Sequence, residues 1–226
     1  MRRLHKIALA AVTLEALGAA YSFVLLPRLR RWGATAEEVA RPLPGDDLIP
    51  DPLYATTHAI SVSAAAEDVW PWLVQVGQNR GGFYTSDFLE NLFRLDIHSA
   101  DRIHEEWQDL EAARDYVSLD PDETMKMTIT TLDPPRAFII RTGAPDVEPQ
   151  GPGDFFKAEI AASWAFIVEP VGDRSCRLVI RWRASWRDTV AAAFARAFLL
   201  EPVHFVMEEG MLRGIRDRAE RSSATV

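Results

Sequence analysis

A chain of 226 residues, 48% of them hydrophobic, is long and apolar enough for one domain with a substantial core plus an appendage, which excludes a disordered chain. Its formal charge of -8 argues against nucleic acid as a partner, because phosphates ask for an excess of Lys and Arg on one face. The single cysteine, Cys176, excludes an internal disulfide and a cysteine-based zinc site.

The N-terminal residues stand apart from the rest. MRRLHK is basic, and residues 7–26, IALAAVTLEALGAAYSFVLL, carry only Glu15 as a charge before Pro27 and the basic RLRR. About twenty residues of helix span about 30 Å, the thickness of a bilayer's hydrocarbon core. The expectation is a hydrophobic helix over residues 1–31 that makes this a single-pass membrane protein, with the membrane a partner through residues 7–26. Two alternatives compete. One is a signal peptide cleaved near Gly18-Ala19-Ala20, although apolar residues continue to Leu26; the other is a helix lying flat on a membrane or on the domain. Basic residues flank both ends, so the side on which the domain lies stays open.

Residues 32–55 are rich in Pro, Gly and acids, lack an apolar period, and read as an extended linker, with the domain's surface as one place for it to lie. The domain proper is expected over residues 56–222. THAISV (57–62) alternates as a first strand. Ser63 is placed to cap a helix starting near Ala64, with Pro71 inside it and Gly77 after it. TSDFLENLF then predicts a short second helix capped by Thr85 or Ser86.

Strand signals fill the middle of the chain: residues 115–119, 125–132, 137–142, 158–170 and 176–186, separated by turn-rich pieces such as DPDE, DPPR and VGDRS. Short turns between consecutive strands imply an antiparallel sheet. Residues 143–154 are too rich in Pro and Gly for regular structure and read as a long loop. The chain closes with helix, Asp188 capping a first segment and Glu201-Pro202 marking a break and restart before a long final helix.

This order of elements resembles the helix-grip fold of the START-like (SRPBCC) superfamily, which includes polyketide cyclases, plant hormone-binding proteins and lipid-transfer domains. The resemblance is closer to a bacterial branch in which a hydrophobic N-terminal segment precedes this domain. The matching residues are Trp32-Gly33-Ala34-Thr35 with Glu38, Pro44-Gly45-Asp46, Val69 to Leu92, Asp96 to Arg102, Glu106-Trp107-Gln108, Ser163-Trp164-Ala165-Phe166, and His204 to Met207 with Met211-Leu212. They cover nearly the whole chain and identify a family rather than a reaction. One departure is Arg114-Asp115, where the family pattern has a Gly-Asp turn, so that turn lacks glycine's freedom at positive φ.

The resemblance implies an α+β architecture: a curved antiparallel sheet wrapped around a long C-terminal helix, with a cavity between them. Strand parity then says which side chains face that cavity. Leu178, Ile180, Trp182, Ala184 and Trp186 share one face, as do Trp164, Phe166 and Val168. The last helix adds His204, Met207 and Met211. The alternative for each is plain core packing. The stretch GQNRGGFYTSDFLENL becomes the loop and short helix at the cavity mouth. Its polar residues suit a structural corner whose backbone groups need partners, or a head-group site made of Arg80, Tyr84, Asp87 and Trp107.

Sharper motifs carry less. His98, Asp101, His104 and Glu105 match no strong metal-ligand spacing, Cys176 has no histidine near it in sequence, and no glycine-rich phosphate loop is present, so no metal or cofactor is expected. Three functional classes follow: a membrane-tethered module binding or transferring a hydrophobic small molecule or lipid, a polyketide cyclase/dehydratase-like enzyme, and an accessory membrane protein without ligand. The binding module ranks first, because the hydrophobic N-terminus and the expected cavity both support it.

Overall fold

The computed structural model describes residues 12–13, 15–85, 99–142, 160–186 and 190–224. Its centre is a six-stranded antiparallel sheet in the order β1-β6-β5-β4-β3-β2. The strands are β1 (Tyr54–Val62), β2 (Tyr116–Ser118), β3 (Lys126–Asp133), β4 (Ala137–Thr142), β5 (Ala161–Gly172) and β6 (Ser175–Ser185). The long helix α5 (Glu201–Ser223) and the shorter α3 (Ala66–Val74) pack on the inner face. This is the helix-grip arrangement expected from the sequence.

Alternation along β5 and β6 decides the layering. Leu178, Ile180 and Ala184 are buried on the inner face with Trp164, Phe166 and Val168, and they meet Met211, Leu212, Ile215 and Ala219 of α5. Val179, Ala165 and Ile167 point the other way into a smaller cluster with Leu43, Ala59 and Ile139. Each face of the sheet therefore carries a buried apolar cluster.

The cover on the outer face is residues 33–50. Thr35 caps the short helix α2 (Ala36–Ala40) in a reciprocal box, its hydroxyl accepting from the Glu38 N–H at 3.1 Å while the Glu38 carboxylate accepts from the Thr35 N–H at 2.7 Å. Arg181 reaches out from β6 and pins this segment. Its guanidinium donates to the Glu38, Val39 and Arg41 carbonyls and to Asp46 Oδ2, the last at 2.7 Å. Just upstream, the Arg30 and Trp32 carbonyls accept from the Thr57 and Ala59 N–H groups of β1 at 2.8 and 3.1 Å. Gly33 follows at φ 70°, where a Cβ would strike the Ala59 carbonyl.

Several local expectations are corrected. Ala65, not Ser63, occupies the position before α3; no side chain caps it, and the Ser63 N–H donates instead to Glu220 at 2.7 Å. Glu201-Pro202 is not a break, since Leu200 and Glu201 keep right-handed helical angles. Proline lacks an N–H and its ring crowds the carbonyl four residues back. The chain absorbs this by widening the preceding turn, Arg196–Leu200, into a π-turn in which Glu201 N–H reaches the Arg196 carbonyl. That turn joins α4 (Val190–Ala195) to α5 without interruption. The same device precedes Pro27, where Tyr21–Leu25 forms a π-turn inside α1, residues 15–29. Near Arg114, the left-handed residue is Ala113 (φ 65°), and Asp115 closes the turn by accepting from the Glu111 N–H at 2.7 Å. The second helix and the loop over 143–154 fall largely or wholly outside the described residues.

The single-pass membrane expectation is overturned: among the described residues no helix is long and apolar enough to cross a membrane. The C-terminal end of the described hydrophobic segment is instead docked on the domain, while Val12, Leu17, Phe23, Val24 and Leu25 stay exposed. Tyr21 stacks on Phe198 with ring centroids 5.0 Å apart and donates to the Ala197 carbonyl at 2.5 Å. Leu26 is buried, and Arg30 makes a two-point bond to the buried Glu201 at 2.8 and 2.7 Å.

Candidate ligand-binding site

Between the inner face of β5 and β6 and the first turns of α5 lies a cavity of about 150 Å³. Among the described residues it is bounded by Phe83, Thr85, Leu119, Trp164, Trp182, His204, Met207, Glu208 and Met211. Strand pairing sets two walls, because Trp164 and Trp182 are direct partners in the β5–β6 ladder and meet edge to face with centroids 5.4 Å apart. Phe83 lies over Trp164 with a centroid separation of 6.3 Å. The helical spacing of His204, Met207, Glu208 and Met211 brings one face of α5 over the same hollow.

Glu208 is a carboxylate in an apolar interior, and β1, β5 and α5 supply its partners. Trp164 Nε1–H donates to Oε1 at 2.8 Å, and the Thr56 hydroxyl of β1 donates to Oε2 at 3.3 Å. His58 Nδ1 lies 2.6 Å from Oε2, an ion-pair contact in which the ring N–H is not aligned on the oxygen. The other ring nitrogen, Nε2, is 2.6 Å from the Leu29 carbonyl at the end of α1. His204 Nε2 stands 3.5 Å from Oε1, and its Nδ1 is 3.1 Å from the Tyr54 hydroxyl.

The electrostatics follow from this packing. Burial alone would push the Glu208 carboxyl up, but the two histidines and the hydrogen bonds it accepts hold it below the usual carboxylate range. Burial works against a charged His58, yet the facing Glu208 charge and the Leu29 carbonyl outweigh it and raise its pKa. His204 goes the other way, lowered chiefly by burial. Burial and the nearby carboxylates raise the Tyr54 hydroxyl, which keeps its proton. The polar end of the cavity thus favours the charged forms of Glu208 and His58 and the neutral form of His204.

Of the residues expected from the sequence, the structure brings Trp164, Trp182, His204, Met207 and Met211 together around the cavity. Phe166 and Ile180 face the same way but are wholly buried in the core behind it. Arg80, Tyr84 and Trp107 do not line it. Arg80 donates to the Trp107 carbonyl at 2.6 Å, and Tyr84 packs edge-on against Trp72. Asp87 lies outside the described residues. The corner around Gly77 to Gly82 uses its polar groups on backbone: buried Gln75 donates to the Arg102 carbonyl and accepts from the His104 N–H, both at 3.1 Å. The sequence reading missed Glu208 and His58. Glu208 stands four residues after His204 and three before Met211, a spacing that signals an inward-facing carboxylate; nothing local marks His58, which only the β1 register brings near.

No protein-family model matches the chain, and no curated protein matches it. Solved structures do. The chain is similar to the Zhui aromatase/cyclase from Streptomyces sp. R1128, at 18% identity and a TM-score of 0.40, covering 74% of this chain and 94% of that one. It is similar to a START superfamily protein from Mycobacterium smegmatis, at 10% identity and a TM-score of 0.41 over 74% and 98% of the two chains. A conserved protein from Geobacillus kaustophilus gives 17% identity and a TM-score of 0.40 over 75% and 97%. These are likenesses of fold, and no residue's role transfers through them.

Proposed function

We propose that this protein binds a small, uncharged hydrophobic molecule in the cavity between the sheet and α5, with Trp164, Trp182, Met207 and Met211 as its contacts. The observation that carries this reading is a hollow walled by aromatic and thioether side chains, while the polar atoms of Glu208 are engaged by Trp164, Thr56 and His58. A volume of about 150 Å³ suits a single aromatic ring: engineered apolar cavities of about that size stay dry and take benzene. A lipid tail asks for more room, since drug-sized ligands occupy pockets of about 300 Å³ and upward. Acid–base chemistry of the cyclase kind is disfavoured at Glu208, because a carboxylate held ionised with both oxygens occupied is a weak base.

The test is a titration of the protein with toluene and indole, followed by tryptophan fluorescence and by calorimetry. Saturable binding is expected, together with its loss in Met211→Trp, which fills the hollow. Absence of saturable binding, or an affinity indifferent to Met211→Trp, sinks the proposal.

A further inference from the structure

The outer face of the sheet carries a second, larger hollow of about 620 Å³, an open groove above β1 and β6 bordered by the end of α1, by α2 and by residues 42–50. Five arginines line it, Arg30, Arg31, Arg41, Arg181 and Arg183, in a chain whose formal charge is -8. Two aspartates line it as well. Asp46 is already engaged by Arg181 at 2.7 Å and lies 3.6 Å from Arg183, whereas Asp47 stays exposed.

A guanidinium offers five N–H donors; Arg181 gives all of its own to Thr57, Glu38, Val39, Arg41 and Asp46, whereas the other four arginines keep some uncommitted. Arg41 spends Nη2 on Glu169 at 2.5 Å, and its buried Nε has no partner among the described residues. Arg183 spends Nε and Nη2 on the Ile49 and Pro50 carbonyls, both at 2.8 Å. Arg30 gives two bonds to Glu201 yet stays 38% exposed. Arg31 is exposed and makes no side-chain hydrogen bond or ion pair among the described residues. With Glu169 and Glu201 counted beside the two aspartates, five guanidiniums face four carboxylates, which leaves one positive charge and several preoriented donors around one opening. Pro27, Pro42 and Val39 supply apolar wall beside them.

We propose that this groove binds a phosphate group carried on a small organic body, with Arg31 and Arg41 as principal donors. A phosphate monoester or diester keeps at least two unesterified oxygens, enough to accept from more than one guanidinium, and the proline wall takes the body. The site is separate from the inner cavity, on the opposite face of the sheet.

Calorimetric titration of the full-length protein with glycerol 3-phosphate at low salt tests this, alongside sedimentation with phosphatidylglycerol vesicles. Binding is expected to weaken at least tenfold in Arg31→Glu and to be unchanged in Arg114→Glu, an equal change of charge at an exposed site elsewhere. Binding to vesicles alone, lost in Arg31→Glu, assigns the same groove to a lipid headgroup. No binding in either arm, or equal weakening by both variants, overturns the proposal, the latter by showing only a general charge effect.

Discussion

Glu208 Oε2 lies 2.6 Å from Nδ1 of His58, and both side chains are sealed from water, one on the central helix and the other on β1. Removing one member of a buried pair leaves the other charge uncompensated, at a cost of about 3–5 kcal/mol. Glu208→Gln is therefore expected to lower the urea midpoint sharply, while Glu208→Leu combined with His58→Phe recovers a large part of the loss. A midpoint unmoved by Glu208→Gln shows that the pair contributes nothing.

The same pair sets a pH dependence. His58 is raised, so its contribution is full below the unfolded value of about 6.5 and is lost as pH rises through its higher folded value. Glu208 is lowered, so its contribution is present above the unfolded value of about 4.3 and is lost as pH falls through its lower folded value. The stability gap between the natural protein and His58→Asn is expected to be widest near pH 5–6 and to narrow toward pH 9. His204 is lowered chiefly by burial and in part by the His58 charge, so His58→Asn relaxes part of that lowering. Denaturant titrations at several pH values measure the gap, and a gap independent of pH refutes the charge on His58.

Two glycines in α5 predict opposite outcomes for one substitution. Alanine normally stabilises a helix interior by about 1 kcal/mol over glycine. At Gly214 an added Cβ falls on the Tyr84 carbonyl, so Gly214→Ala is expected to destabilise by about 1–3 kcal/mol. At Gly210 the nearest atom is Thr85 Cβ at 3.4 Å, an ordinary contact, and Gly210→Ala is expected to be neutral or stabilising. Thermal unfolding separates the two, and a Gly214→Ala protein no less stable than the natural one refutes the close approach at Gly214.

Arg181 is the staple of the outer face. Its donors go to three carbonyls of residues 38–41 and to Asp46, and no flexible ammonium reproduces that fork. Arg181→Lys is expected to cost about 2–4 kcal/mol and to raise amide exchange in residues 36–48 before the sheet. Exchange that rises uniformly across the domain contradicts this ordering.

Much of the fold was legible because period-2 alternation is a local signal. The runs at 137–142 and 176–186 nearly coincide with β4 and β6, and the parity of Leu178, Ile180 and Trp182 set the inner face correctly. The cavity's aromatic wall followed from the same parity. What the sequence hid was long-range. Residues 33–50 have no apolar period, since they are held by Arg181, Arg177 and scattered buried side chains such as Leu43 and Ile49 rather than by a periodic face. His58 meets Glu208 only through the placing of α5 against β1. The apolar run ending at Leu26 looks the same whether its neighbours are lipid or Phe198, and composition alone does not distinguish them.

The hydrogen bonds from Thr57 and Ala59 to the Arg30 and Trp32 carbonyls have a consequence for association. β1 and β2 are the two margins of the ladder, and a margin with free amides invites a foreign strand. On β1 those amides are occupied by the chain's own upstream backbone, and β2 is only three residues long. Two amides of β1 are thus taken and β2 offers only three residues, so among the described residues neither margin presents a long free ladder for another copy's backbone to extend.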